Sequence, residues 1–381
     1  MVASIYLDYA ATTPVDQRVI ERMVAHMSVD ADFGNPASRS HAYGWQAEES
    51  VETARVHVAE AINADPREII WTSGATESDN LALKGAAFGS ARRHIITSSI
   101  EHKAVLDCCS FLEQQGNEVT YLAPDAWGRT SVEQVREALR EDTLMVSIMQ
   151  VNNELGTVND LAPIGALCRS KGVLFHTDAA QSFGKLPIDV EALQVDLLSI
   201  SAHKIYGPKG IGALYVRRAN GLRLAPQMHG GGHEMGMRSG TLPAQQIVGL
   251  GTAAQLMVDN VDAERAHLSG LRERFLSHVQ QIPDTVVHTH PEDHVPGIVN
   301  VGFAGVDGET LLLALPELAV SSGSACTSAS VEPSFVLRGI GVADELAHAS
   351  LRFSFGRFTE PGDVDTAGHR LAATVARLRG S

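Results

Sequence analysis

Apolar residues along this chain fall into two textures. Up to about residue 259, short apolar runs at 69–73, 94–98, 118–122, 144–150, 173–177, 195–200 and 211–216 alternate with stretches whose apolar residues recur three and four apart. The short runs read as buried strands and the others as amphipathic helices. One such helix is expected at 15–27, carried by Val19, Ile20, Met23, Val24 and Met27, and a longer one runs from about 41 to 62. Thr130 and Glu133 have capping-box spacing, and Gly172 closes a helix beginning near Ile164. Strand–helix alternation predicts an α/β fold, a mostly parallel sheet covered by helices on both faces. Ligands of such sheets gather at the carboxyl ends of the strands. From about Asn260 the pattern changes to long helices and antiparallel-looking strands at 297–303, 319–321 and 350–355. The expected division is therefore a large domain, 15–259, and a smaller α+β domain made of 1–14 and 260–381.

The chain's 381 residues, 44% hydrophobic, are ample for two cores. With 30 basic against 45 acidic residues the net charge is −15, which argues against general nucleic-acid binding. The four cysteines, Cys108, Cys109, Cys168 and Cys326, have neither paired zinc spacing nor a C-x-x-C, and they fit a reducing compartment. Cys108, Cys109 and Cys168 sit in apolar helical surroundings and read as structural. The N-terminus lacks the basic start and apolar core of a signal peptide, and the richest apolar run, 311–320, is broken by Pro316 and Glu317. A soluble cytoplasmic protein without membrane contact is expected.

The strand ends carry the chemistry. Lys204 follows one apolar run and stands beside His203 and a Gly/Pro turn. A partly desolvated lysine there is a usable amine nucleophile for a Schiff base with an aldehyde cofactor such as pyridoxal phosphate; a solvated loop lysine is the alternative on these residues alone. Gly74-Ala75-Thr76 sits between a strand and a helix opening near Glu77, where backbone N–H groups favour a phosphate, although an ordinary capped turn has the same look. Asp178 closes another strand, able to pair with a protonated pyridine nitrogen or to cap the next helix. His102 lies past a third strand and Asn153 past a fourth, the one suited to stacking and proton transfer, the other to a hydroxyl, a carboxylate or an Asx turn. Cys326, within Ser-Gly-Ser-Ala-Cys-Thr-Ser, suits a nucleophile that visits two places. Arg352 is a cation in an apolar strand and calls for a carboxylate, from a ligand or from within the chain. The glycine-rich loop 230–241 carries His233 and Glu234, but the second helical histidine of a metalloprotease is missing and no metal is expected.

Taken together these segments resemble the NifS/IscS-like cysteine desulfurases of the fold type I, pyridoxal-phosphate-dependent aminotransferase superfamily. The likeness runs from Tyr6-Leu7-Asp8-Tyr9-Ala10-Ala11-Thr12-Thr13-Pro14 through 72–80, 101–106, 151–156, 176–185, 201–212, 229–242 and 321–328 to Arg352-Phe353-Ser354. It implies a seven-stranded, mostly parallel sheet in the large domain and a mobile cysteine loop, about 321–330, in the small one. Lys204 would hold the cofactor, Asp178 would face its ring nitrogen and His102 would stack on the ring. Gln181 and Asn153 would bind the hydroxyl side, and Ala75, Thr76, Ser201 and His203 the phosphate, with Thr241 reaching in from the second subunit of a homodimer. Arg352 and Asn153 would grip the carboxylate of L-cysteine. Cys326 would take the sulfur as a persulfide, release alanine, and pass the sulfur to an acceptor protein. Members of the group often continue past the last helix with a tail that docks an iron–sulfur scaffold. This sequence ends at Ser381, soon after the helix expected at 364–379, so iron–sulfur assembly, tRNA thiolation and DNA phosphorothioation stand as equal destinations. A selenocysteine lyase or another fold type I enzyme is the alternative activity.

Overall fold

The computed structural model describes residues 4–218, 222–322 and 332–380. Seven strands form one sheet in the order Ile69–Thr72, Gly212–Val216, Leu197–Ser201, Leu174–Asp178, Thr143–Ser147, His94–Ser98, Glu118–Leu122. Gly212–Val216 runs antiparallel to both neighbours and every other pairing is parallel. These are the strands expected from the apolar runs, two of them with the same ends and the others with ends shifted by up to three residues. The runs are continuous because both faces of the sheet are covered. Successive side chains still divide between the faces. Ile69, Trp71, Ile96, Val146, Leu198 and Tyr215 join one apolar cluster, and Ile70, Ile95, Met145, Leu197 and Leu214 join the other.

The helix Ala42–Glu60 buries Ala47, Val51, Ala54 and Val58, the spacing of one helical face, against the first cluster. Helices Ala75–Phe88 and Lys103–Gln114 cover the opposite face. Cys108, Cys109 and Cys168 are buried, and burial pushes the Cys108 and Cys168 thiols up to about 12. Those three thiols are inert at neutral pH.

Four short antiparallel strands make a second sheet in the order Ser321–Ser322, Ser350–Ser354, Ile298–Phe303, Thr285–Val287. Thr285–Val287, three residues long, left no periodic signal. The N-terminal strand Ile5–Tyr6 pairs in parallel with Leu318–Ala319, and Leu7 enters the cluster of Phe275, Phe353 and the helix Pro361–Arg379. A single helix, Ala244–Val279, runs 36 residues across the change in texture near residue 260. Its first part, to Met257, packs with the large sheet, and Leu268, Leu271, Phe275 and Val279 pack with the small one. Arg357 ties the parts together: its guanidinium bonds Glu264 on that helix and Asp16 before the helix Gln17–Val24, and lies 4.1 Å over the Tyr206 ring. At the helix Val132–Ala138 the capping box is made by Ser131 and Gln134, one residue beyond the expected pair.

The long helix packs closely where Gly251 meets the helix Ala42–Glu60. A Cβ on Gly251 would lie 2.5 Å from the Ala54 Cβ, whereas one on Gly270 would meet nothing within 4 Å. Gly251→Ala is expected to destabilise by roughly 1–3 kcal/mol through overpacking, and Gly270→Ala to stabilise by roughly 0.5–1 kcal/mol through helix propensity. Thermal unfolding of the two variants checks the opposite signs.

Candidate active site

Parallel strands release their chains at one edge, and the expected residues converge there. Lys204, Asp178, His102, Gln181, Asn153, Ala75, Thr76, Ser201, His203 and Arg352 all line one cavity of about 660 Å³. Thr241 is exposed and does not line the cavity of its own chain. Cys326 lies outside the described residues, as does most of the loop expected at 321–330. Ser321, five residues before Cys326 in the chain, lines the cavity.

Lys204 stands on the short turn Ala202–Lys204 that follows the strand Leu197–Ser201. Its Nζ donates to the carbonyls of Ala10 at 2.6 Å and Ala11 at 2.7 Å. The Gln181 amide donates to the same Ala10 carbonyl at 2.8 Å, and its oxygen accepts from Lys185 Nζ. Lys185 gave no signal in the sequence. Burial, with the charges of Lys204 and Arg352, pulls its ammonium down to about 7.

Asp178 is 6% exposed and accepts one backbone hydrogen bond, from Ala180 at 2.8 Å. Burial pushes its carboxyl up, opposed by His102, the Ala180 N–H and Lys204. Two further buried acids lie beneath it. Burial and the Asp178 charge push both Asp79 and Glu101 well above the usual carboxylate range, and Glu101 spends one oxygen on the Met149 N–H. His102 Nδ1 accepts from the Ala104 N–H at 3.2 Å as the cap of its helix, which places the proton of the neutral ring on Nε2. His203 Nδ1 lies 3.1 Å from the Thr12 hydroxyl, and burial with the nearby lysines pulls it down to about 4, a neutral ring at ordinary pH.

The Asx turn considered for Asn153 belongs to its neighbour. Asn152 Oδ1 accepts from the Glu154 and Leu155 N–H groups, leaving the Asn153 side chain to the cavity. Arg352 has an internal partner, donating to Asp8 Oδ1 at 2.7 Å and to the Asn153 carbonyl at 2.8 Å. Its Nε is buried without a hydrogen-bond partner. Two of its five N–H groups are thus spent within the chain, and as a lining residue Arg352 keeps Nη donors for a ligand carboxylate. At the opposite wall, no side chain caps the helix Ala75–Phe88, and Gly74 takes a φ of 149° that favours glycine. A Cβ there would meet nothing within 4 Å, so the N-terminal N–H groups open onto free space. Pyridoxal phosphate fits this donor set: an under-bonded buried carboxylate for a ring cation, an uncapped helix start for a phosphate, and an amine between them. Glu234 is not free for a metal, since its carboxylate accepts from Arg55 and the Trp71 N–H.

Glu154, under the Asn153 turn, is raised to about 7 by burial, with Ser334 and Arg352 pulling it back. The folded chain thus holds a proton that the unfolded chain releases near 4.5. This contribution to stability is full below pH 4.5, is lost as pH rises to about 7, and is constant above. Glu154→Gln removes the dependence. Relative to the parent chain, the variant is expected to be about 2 kcal/mol more favoured at pH 8 than at pH 5, read from urea unfolding midpoints.

The class-V aminotransferase family model matches residues 5–366. Cysteine desulfurase IscS of Vibrio vulnificus is 58% identical over 381 residues, all of this chain and 94% of that protein. Among solved structures, a NifS-like protein superposes with a TM-score of 0.91 at 35% identity, covering 98% of this chain and all of that one. A second, SspA in complex with cysteine, superposes with a TM-score of 0.85 at 41% identity, covering 94% and 100%. With likeness of this extent on both counts, the chain belongs to the class-V aminotransferase family and, within it, to the IscS-like cysteine desulfurases.

Proposed function

We propose that this chain converts L-cysteine to L-alanine with pyridoxal phosphate and passes the sulfur onward as a persulfide on Cys326. The observation that carries the reading is the convergence of Lys204, Asp178, His102 and Arg352 on one cavity. The solved relative with 41% identity, whose bound molecule is cysteine, supports the substrate.

Bound at Lys204, the cofactor supplies an electron sink that makes the substrate Cα proton acidic and weakens the bond to sulfur. The chain's own residues do the rest. Asp178, kept under-bonded, faces the ring nitrogen, and a cation there relieves the penalty of burying its charge. The N–H groups at Ala75 and Thr76, with the Ser201 hydroxyl and the neutral His203, take the phosphate. Gln181 and Asn153 hold the hydroxyl edge. His102, a lining residue, would cover the ring and exchange a proton with the reacting atoms. Arg352 would offer its remaining Nη donors to the substrate carboxylate, with Asn153 beside it, while Asp8 holds the guanidinium in place. The Lys204 amine, placed by the Ala10 and Ala11 carbonyls, would be the base for the Cα proton.

Sulfur leaves by attack of the Cys326 thiolate on the substrate sulfur. A sulfur–sulfur bond forms, the carbon–sulfur bond breaks, and its electron pair stays with the three-carbon fragment, which is protonated and departs as alanine. The chain acts as a homodimer in the cytoplasm, Thr241 of each copy completing the phosphate site of the other. The acceptor belongs to iron–sulfur assembly, tRNA thiolation or DNA phosphorothioation. No helix among the described residues is long and apolar enough to cross a membrane.

Two variants test the assignment. Cys326→Ser is expected to keep the visible absorbance of the bound cofactor, to shift it on adding cysteine, and to form no alanine; undiminished alanine would remove Cys326 from the reaction. Lys204→Ala is expected to lose that absorbance, and an unchanged spectrum would place the cofactor on another residue.

A further inference from the structure

Three arginines are buried among the described residues: Arg55, Arg352 and Arg272, each 6–7% exposed. Arg55 is paired with Glu234 and Arg352 with Asp8. Arg272, on the helix Ala244–Val279, has no carboxylate partner and makes one hydrogen bond, from Nη1 to the Ile298 carbonyl at 3.3 Å. A guanidinium carries five N–H donors, so most of those of Arg272 are left open to the groove that the residue lines. A largely buried cation with unused donors gains by admitting an anion.

The anion has a place to sit. Arg272 lines a groove of about 480 Å³ that shares no residue with the Lys204 cavity. Thr289 and His294 are among the polar residues that line it with Arg272. Thr289 Oγ1 accepts from the Asn300 N–H, and its own hydroxyl proton has no acceptor among the described residues. His294 Nδ1 is buried, with no partner at full hydrogen-bond geometry among the described residues. Burial, with the charge of Arg272, pulls this imidazole down to about 4, opposed by the His290 backbone and the Asp293 charge. The remaining walls include the half-exposed Trp127 with Leu276 and Val287. Glu273, at the exposed rim, is the only acid of the lining.

We propose that this groove is a binding site for a small monocarboxylate with a flat apolar body, its carboxylate on Arg272 and Thr289 and its body against Trp127 and Leu276. A single guanidinium edge matches a carboxylate in two parallel hydrogen bonds. One cation, with Glu273 at the rim, favours a monoanion over a doubly charged phosphate. The volume is that of a site for a small organic molecule. The proposal is independent of the cofactor assignment and does not involve the Lys204 cavity.

Calorimetric titration of the full-length holoenzyme tests it, with benzoate as probe, neutral benzamide as its isostere and inorganic phosphate in parallel. Benzoate is expected to bind, and benzamide and phosphate to bind at least about tenfold more weakly. Arg272→Gln is expected to weaken benzoate at least about tenfold, while Arg352→Gln leaves it unchanged. Should Arg272→Gln fail to fold, Trp127→Ala on the exposed wall decides, with a several-fold loss of benzoate affinity at an unchanged Tm. Equal binding of benzoate and benzamide, tighter binding of phosphate, loss of benzoate in Arg352→Gln but not in Arg272→Gln, or full affinity in Trp127→Ala would each overturn the proposal.

Discussion

The site depends on how the chain's first segment is fastened to the turn that carries Lys204. Thr13 donates its N–H to the His203 carbonyl, Tyr206 donates to the Thr13 hydroxyl, and Asp16 donates to the Tyr206 carbonyl. Between these bonds, Ala10 and Ala11 present their carbonyls to the Lys204 ammonium. An ammonium carries three donors and has strong need of acceptors when removed from bulk water. Two backbone carbonyls supply acceptors for two of the three. Tyr206, at a φ of 64°, turns the chain sharply just after the lysine, and Arg357 holds its ring. That strain sits beside the reacting amine, where surrounding structure over-determines the backbone.

The second constraint is electrostatic. Asp178, Asp79 and Glu101 are three acids in the interior behind the cavity, each raised by burial and two of them also by Asp178. They cannot all ionise together. The carboxylate nearest the cavity, Asp178, is the one that His102 and Lys204 favour as an anion. A cationic ring nitrogen in the cavity adds to that preference, so the arrangement selects which acid carries the charge. Arg352 does the reverse at the other wall: Asp8 satisfies its charge, and the Nη donors left over are available for recognition rather than for holding the fold together.

Much of this was legible in the amino-acid sequence, for a physical reason. In a parallel sheet buried on both faces, strands are continuous apolar runs and their carboxyl ends converge, so polar residues that close such runs are neighbours in space. Asp178, Lys204, His102 and Asn153 were found in that way. What stayed hidden depends on partners remote in the chain. Asp8 pairs with Arg352 from the other end of the molecule, and nothing near either residue announces it. Asp79, Glu101 and Glu154 look like ordinary helix and loop acids until burial acts on them. Lys185 reads as a surface lysine after a glycine, yet it orients the Gln181 amide. Ser131 rather than Thr130 caps its helix because Gln134 reaches back to the Ser131 N–H. The helix Ala244–Val279 crosses the change in texture near residue 260 because each half has its own core to cover, so one helix shows two apolar patterns.

The account rests on Lys204 being the amine that holds the cofactor. Borohydride reduction of the purified, cofactor-loaded protein, followed by peptide mapping by mass spectrometry, reads that attachment directly. The account predicts a single pyridoxyl-phosphate adduct on the peptide containing Lys204. An adduct on Lys185 or Lys209, or none on any lysine, would contradict it.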